Sequence, residues 1–238
     1  MKFTDLDFLV YSSHKTATQS LVSTLFQNNF KVRHCHYFSN LEFKDDNLKK
    51  EFMLDYLIDY KKKNNKKLKI ISSLRNPKER LISSFFQTYH SDEIYQKNIN
   101  KEETTVIKKN ENELIQMINV LIREKQLTGQ RESLDEISSV IKKNIINLLE
   151  KRENYYYFEN NFFELFVLDF NCLIGDDKLN YLNTVLDLNL TKIMSKNLSR
   201  EKEYYKKYKS VKRKINKSLD KIIERQYDKF YFEAFKDS

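Results

Sequence analysis

The first ninety residues alternate between short apolar runs and longer segments whose apolar positions recur at helical spacing. Asp7 to Tyr11 (DFLVY) is a run of the buried-strand kind, and Thr18 to Phe26 then places Leu21, Val22 and Leu25 on one helical face. Lys31 to Phe38 predicts a second strand, with Val32, His34 and His36 on one face and Arg33, Cys35 and Tyr37 on the other. Phe52 to Tyr60 reads as a helix, and Lys67 to Leu74 (KLKIISSL) as a third strand. Pro77 then sits in the first turn of another helix behind Asn76 as its N-cap, and Leu81, Ile82, Phe85, Phe86 and Tyr89 form that helix's apolar stripe. This β-α-β-α-β-α order predicts an α/β fold with a parallel central sheet covered by helices on both faces, and ligands beyond the carboxyl ends of its strands.

The pattern changes in the second part of the chain. Glu111 to Glu124 and Ser133 to Leu149 are amphipathic, joined at Thr128-Gly129, with Gly129 as a helix stop. Tyr155 to Phe170 (YYYFENNFFELFVLDF) is so dense in aromatics that periodicity leaves helix and strand both open. Gly175-Asp176-Asp177 marks a turn, and Lys192 to Ile215 and Ser218 to Phe235 read as charged helices with Tyr and Phe stripes. The expected organisation is a single domain over 1–238, with a core in 1–90, a helical insertion over 91–170 and C-terminal helices over 171–238, so that the C-terminal half is helix-rich.

Composition narrows the class. Two Gly and one Pro in 238 residues exclude collagen-like and Pro/Gly-rich disordered chains, while 17 Phe and 15 Tyr supply apolar surface for a core. No apolar stretch reaches the roughly 18 residues of a membrane span, and the start MKFTDLDFLVYSSHK has acidic residues where a signal peptide needs basic ones. A soluble, cytoplasmic chain is expected. Cys35 and Cys172 lack the number and spacing of a disulfide framework or zinc site, which fits a reducing compartment and no metal. The formal charge of +9 admits a polyanionic partner or a general Lys bias. Lys61-Lys62-Lys63 and Lys66-Lys67 read as solvated helix ends, which favours the bias.

Two segments lie where the fold rule puts a ligand. Ser12-Ser13-His14-Lys15-Thr16-Ala17-Thr18-Gln19-Ser20 feeds a helix N-terminus, where backbone N–H groups and the helix dipole attract an anion, Lys15 adds a full charge and the hydroxyls of Thr16, Thr18 and Ser20 add donors. The same Ser/Thr-rich pattern also serves as an ordinary cap. It is not a Walker A loop, because no glycine precedes Gly129. The second segment, Leu74-Arg75-Asn76-Pro77-Lys78-Glu79-Arg80-Leu81-Ile82-Ser83, follows the third strand. Arg75 and Ser83 there can hold a second anion, or Arg75 can simply cap the strand end.

Taken together, KTATQS after strand one and RNPKERLIS after a later strand resemble the two nucleotide signatures of sulfotransferases that use 3'-phosphoadenosine 5'-phosphosulfate (PAPS). In that family the first loop, of the K-T-[GA]-[ST]-[TS] kind, holds the 5'-phosphosulfate; the second, of the R-[DN]-P-x-x-R-x-x-S kind, holds the 3'-phosphate through its Arg and Ser. The resemblance covers roughly residues 6 to 90. It implies a P-loop-like three-layer fold, the loop of His14, Lys15, Thr16, Ala17, Thr18, Gln19 and Ser20 at the donor's sulfate end, and Arg75 and Ser83 on its 3'-phosphate. Ala17 stands where many members have Gly, His14 where many have Pro, and Asn76 replaces a more frequent Asp. VRHCHYFS, the FENNFFELFVLDF block and the late NLS and YDKFY strings look similar to stretches of carbohydrate and bacterial capsular-polysaccharide sulfotransferases. The implied acceptor is therefore a glycan hydroxyl, with 91–170 on the acceptor side.

Sulfuryl transfer needs charge neutralised on the leaving phosphate, a task that suits Lys15, and a base for the acceptor proton. His34 and His36 share a strand face at the sheet's carboxyl end, His36 nearer the exit; an ordinary imidazole, with a pKa near about 6.5, serves at neutral pH. The other reading of the pair is that both rings pack beneath a helix. Glu42 is a reserve base, placed as in glycan sulfotransferases that use a carboxylate shortly after the second strand. His90 reads as surface, and His34-Cys35-His36 as non-metal because its side chains alternate across the strand. Two other classes remain: a degenerate P-loop kinase, disfavoured because strand three ends SSLR without a magnesium-binding carboxylate, and a basic nucleic-acid-binding or interaction module built on the Lys- and Tyr-rich helices at 200 to 231.

Overall fold

The computed structural model describes residues 2–13, 16–36, 53–88, 109–123, 133–194, 204–215, 217–225 and 227–234. These group into two compact units, one drawn from Met1–Leu74 and Arg131–Lys196, the other from Arg75–Gln130 and Asn197–Lys236.

The first unit is α/β. A short 3-10 turn at Phe3–Asp5 leads into β1 (Phe8–Tyr11), α1 (Thr18–Gln27), β2 (Val32–Cys35), α2 (Met53–Asn64) and β3 (Leu68–Leu74), the alternation read from the apolar pattern. The second half of this unit holds α5 (Ser133–Ile141), a 3-10 turn at Ile145–Leu148, β4 (Glu150–Lys151), β5 (Tyr155–Glu159), β6 (Phe163–Asp169), α6 (Phe170–Ile174) and α7 (Lys178–Leu186). The six strands form one mixed sheet in the order β2-β1-β3-β6-β5-β4. β2, β1, β3 and β6 are mutually parallel, while β5 and β4 are antiparallel to their neighbours. The expected parallel sheet is thus mixed at one edge, and the aromatic block at 155–169, whose pattern leaves helix and strand both open, is a hairpin. Its turn is set by Asn160, whose side-chain oxygen accepts from the N–H groups of Phe162 and Phe163. The helix expected over 133–149 ends at Ile141, and Lys142 turns the chain with φ 55°.

Period-two alternation sorts the strands' side chains onto two faces. Phe8 and Val10, Ile71, Phe166 and Leu168 meet Leu21 and Leu25 of α1, with Leu173 and Leu182 from α6 and α7, in one buried cluster. On the opposite face the Tyr11 hydroxyl donates to the Glu136 carboxylate of α5, and Ser72 Oγ bonds Ser133 Oγ at 2.9 Å. The fully buried Tyr60 of α2 donates its hydroxyl to Leu6 O at 2.9 Å.

The second unit is helical: α3 (Pro77–Thr88), α4 (Glu111–Arg123), α8 (Tyr205–Lys214), α9 (Lys217–Glu224) and α10 (Phe230–Glu233). Leu81, Ile82, Phe85 and Phe86 of α3 pack with Leu114, Ile118 and Ile122 of α4, Tyr208 and Val211 of α8, and Leu219 and Ile223 of α9. Asn76 caps α3 as the sequence implied, its side-chain oxygen accepting from Lys78 N at 3.0 Å. Tyr89, His90 and the Thr128-Gly129 joint lie outside the described residues. Among the described residues no helix is long and apolar enough to cross a membrane, and Cys35 and Cys172 are both free.

Candidate functional site

The switch point of the sheet lies between β1 and β3. β1 sends the chain to β2 on one side, whereas the next parallel neighbour of β3 is β6 on the other. The carboxyl ends of β1 and β3 are thus adjacent where the strand order diverges, which is where open α/β sheets bind ligands.

Ser12 and Ser13 follow β1, Ser73 is the penultimate residue of β3, and Thr16 opens the turn into α1; all four are buried. Burying hydroxyls requires that they be hydrogen-bonded: those of Thr16 and Ser73 both bond Ser12 Oγ, and Ser13 Oγ accepts from Ser133 N at 3.4 Å. Ser73 N donates to Ser12 Oγ at 3.0 Å. Ser12 Oγ also lies 2.8 Å from Thr16 Oγ1 and 3.0 Å from Ser73 Oγ. Thr16 Oγ1 donates to Ser13 O at 2.7 Å, and Ser73 Oγ donates to Thr16 O at 2.7 Å. The Thr16 hydroxyl is therefore committed inward, so what it offers a ligand is backbone, not the hydroxyl donor read from its residue type. Thr18 is buried, Ser20 half-buried and Gln19 exposed.

Ala17 is the N-cap of α1 in the left-handed region, φ 61° and ψ 17°, and its carbonyl accepts from the N–H groups of Ser20 and Leu21. This is a conformation that glycine adopts freely and alanine only at some strain. The position where the resembled signature often has Gly is thus one where the backbone demands what glycine offers. The helix dipole puts partial positive charge at this start of α1.

His34 is the third residue of β2, and His36 follows its last residue. Their rings meet edge to face with centroids 4.3 Å apart. His36 Nδ1 lies 2.7 Å from Ser12 O. A carbonyl only accepts, so Nδ1 carries the proton, and in the neutral ring Nε2 is the basic nitrogen. His34 differs: its Nε2 is buried without a hydrogen-bond partner among the described residues. Burial, and secondarily the charge of His36, lower its pKa to about 4. His34 is consequently a neutral, weakly basic ring, and among the described residues it is His36 that has a hydrogen bond to orient it. Cys35 points to the other face, where burial and the Glu136 carboxylate push its thiol pKa well up, so it rests as the thiol at neutral pH.

His14, Lys15 and Glu42 lie outside the described residues. Arg75 and Ser83 belong to the second unit. Arg75 follows directly on Leu74; its Nη2 donates to the Tyr208 hydroxyl at 3.2 Å and its Nε lies 3.7 Å from Glu79 Oε2. Ser83 is buried on α3. Arg80, the second Arg of the same segment, is 2% exposed, donates to Tyr227 Oη at 3.1 Å and stacks its guanidinium 5.7 Å over that ring. It is a structural residue of the helical unit.

Two buried polar residues at the carboxyl ends of the parallel strands lie outside the candidate set that the sequence offers, Ser73 of β3 and Asp169 of β6. Ser73 carries a signal in the sequence: consecutive serines inside an apolar strand, Ser72-Ser73, must be satisfied by buried partners. Asp169, the last residue of β6, is a buried carboxylate whose Oδ1 accepts from Asn171 N at 2.9 Å, capping α6. A cleft between Asn28–Phe30 and Asp187–Lys192 lies at the far end of α1, away from this edge.

No protein-family model, curated protein or solved structure matched the chain.

Proposed function

We propose that this chain is a P-loop-like sulfotransferase that moves a sulfuryl group from PAPS to a glycan hydroxyl. The observation that carries the reading is the β1–α1 turn: a glycine-free loop held by buried hydroxyls, with Ala17 left-handed at the start of α1, beside an imidazole hydrogen-bonded to the same loop. Each half has a stated chemical use. The N–H groups at the start of α1, with Lys15, offer positive charge to the donor's phosphosulfate, and Lys15 neutralises the charge growing on the leaving phosphate. His36, its Nδ1–H tied to Ser12 O, presents Nε2 as the base for the acceptor hydroxyl. Arg75 and Ser83 are assigned to the 3'-phosphate by the motif alone; Tyr208 and Glu79 hold the Arg75 guanidinium in place.

A second reading, a basic module for nucleic acid, draws on α8, which carries six Lys or Arg and no acid in ten residues. Lys206, Lys209 and Arg213 form its exposed stripe. Calorimetric titration with adenosine 3',5'-bisphosphate, ATP-Mg and a mixed oligonucleotide separates the readings. Tightest binding of the bisphosphate, abolished by Arg75→Ala, is the expected result; tighter ATP-Mg or oligonucleotide binding defeats the sulfotransferase reading.

A further inference from the structure

Helix α8 divides its six cations into two sets. One set is spent within the helical unit: Lys207 Nζ donates to Lys109 O at 2.7 Å, Lys212 Nζ lies 2.5 Å from Glu79 Oε1, and Lys214 pairs with Glu111. The other set, Lys206, Lys209 and Arg213, is exposed, and none of the three pairs with an acid among the described residues. Spacings of three and four residues put them in a single row, about 10 Å from end to end at the α-helical rise. Tyr208 and Val211, on the opposite side of the helix, are buried in the core of the unit, so the row is presented on a fixed frame. Lys209 and Arg213 stand one turn apart and repel each other, a cost to the helix that an anion laid along the row removes.

We infer that this row is a docking surface for an acidic glycan, a linear saccharide that carries carboxylates along its length. Calling that glycan the acceptor rests on the sulfotransferase reading; the docking surface itself does not. Two features favour a glycan over a nucleic acid. Single strands are held without sequence preference by aromatic faces on which bases stack, and the Tyr205 ring beside the row is already engaged, with Lys209 Nζ 5.2 Å over it and Tyr208 stacked against it at 6.4 Å between centroids. A duplex carries one charge per about 1.7 Å of axis and matches a broad basic field, whereas Glu79 and Glu111 neutralise the cations flanking this row. A single file of three cations instead matches one chain with widely spaced charges.

The probe is a fluorescent decagalacturonate, titrated with the full chain at low salt and followed by anisotropy, beside its uncharged methyl ester and a mixed-sequence single-stranded decanucleotide. The acid form is expected to bind, the methyl ester not to bind, and the oligonucleotide to bind more weakly than the acid form. Lys206→Gln, Lys209→Gln and Arg213→Gln each weaken binding about threefold and the triple variant about thirtyfold, the scale of exposed ion pairs. The salt dependence flattens by about one released counterion for each charge removed, and Lys209→Arg keeps the wild-type affinity. Affinity for adenosine 3',5'-bisphosphate stays the same across the set, which shows that the variants are folded. Equal affinity of wild type and triple variant for the decagalacturonate, or binding of the methyl ester as tight as that of the acid, overturns the docking surface. Tighter binding of the oligonucleotide overturns the glycan and assigns the row to nucleic acid. A wild-type chain that holds the decagalacturonate through the row but does not bind the bisphosphate keeps the docking surface and removes the sulfotransferase reading.

Discussion

Acidification from pH 7.5 to pH 4 is expected to strip stability from this protein through one ring. His34 Nε2 is buried without a partner among the described residues, and burial first, then the neighbouring His36, lower its pKa from 6.5 to about 4. In the unfolded chain the imidazole takes its proton near 6.5; in the folded chain it waits until near 4. Between those values the unfolded state binds more protons, so the free energy of unfolding falls as pH falls. The contribution is whole above about pH 6.5 and fully lost below about pH 4. The span between the two pKa values sets a ceiling of about 3 kcal/mol, and partial solvent access to the ring brings the working figure to about 2 kcal/mol. His34→Phe keeps a ring of similar size and abandons no hydrogen bond at Nε2. Urea unfolding of wild type and variant at pH 7.5, 6.5, 5.5 and 4.5 gives the difference directly, because titrating groups common to both chains cancel. The variant is expected to gain on the wild type steadily over that range, approaching about 2 kcal/mol at the acid end. Parallel pH profiles for the two chains refute the reasoning.

Three further outcomes are expected. Ala17→Gly relieves left-handed strain of about 1 kcal/mol, partly offset by glycine's freedom in the unfolded chain, while Ala17→Val deepens the strain by more than about 1 kcal/mol; thermal unfolding checks the opposite signs. In the helical unit, Tyr227→Phe keeps the ring under Arg80 and costs about 1 kcal/mol, whereas Arg80→Lys loses the planar fork and costs about 2 kcal/mol; a double-mutant cycle in urea shows coupling between them if the contact is energetic. In a sulfuryl-transfer assay at saturating donor, Lys15→Ala lowers turnover far more than Arg75→Ala, which raises the donor KM instead; equal turnover in both contradicts the roles assigned to them.

The first three strands were legible because a chain with so few glycines and prolines writes its core strands as unbroken apolar runs. Phe8–Tyr11 and Leu68–Leu74 stand where DFLVY and KLKIISSL place them. Tyr155–Asp169 was illegible for a physical reason: aromatic residues occupy successive positions, so neither a two-residue nor a 3.6-residue period stands out. The structure resolves the ambiguity by pairing, with β6 lying beside β3 and β5 folding back on β6, and pairing is a long-range fact. The end of α5 was missed because Lys142 takes a positive φ without being Gly or Asn. At the candidate site, residue types and chain positions were readable, but which hydroxyl faces inward was not. Thr16, whose residue type offers a ligand donor, is bonded to Ser13 O, and the tie between Arg75 and Tyr208 spans 133 residues of chain.

The scarcity of glycine and the chemistry of the β1–β3 edge are the same problem seen twice. A tight strand-to-helix turn needs one residue with positive φ and hydrogen-bond donors for the carbonyls it buries. Glycine meets the first need at no strain, and alanine meets it at about 1 kcal/mol. The second need is met here by side chains: Thr16, Ser73 and His36 each donate to one loop carbonyl, and each such bond contributes about 1 kcal/mol net. Three bonds against one strained residue leave the turn favourable, and they define a single conformation, where a glycine-rich loop has many to lose. It follows that the turn's stability sits in the buried hydroxyls of Ser12, Thr16 and Ser73, not at the loop's exposed surface. Substitutions at Ser12 or Ser73 are expected to cost the fold about 1 kcal/mol for each hydrogen bond removed, read as a lowered midpoint in urea unfolding.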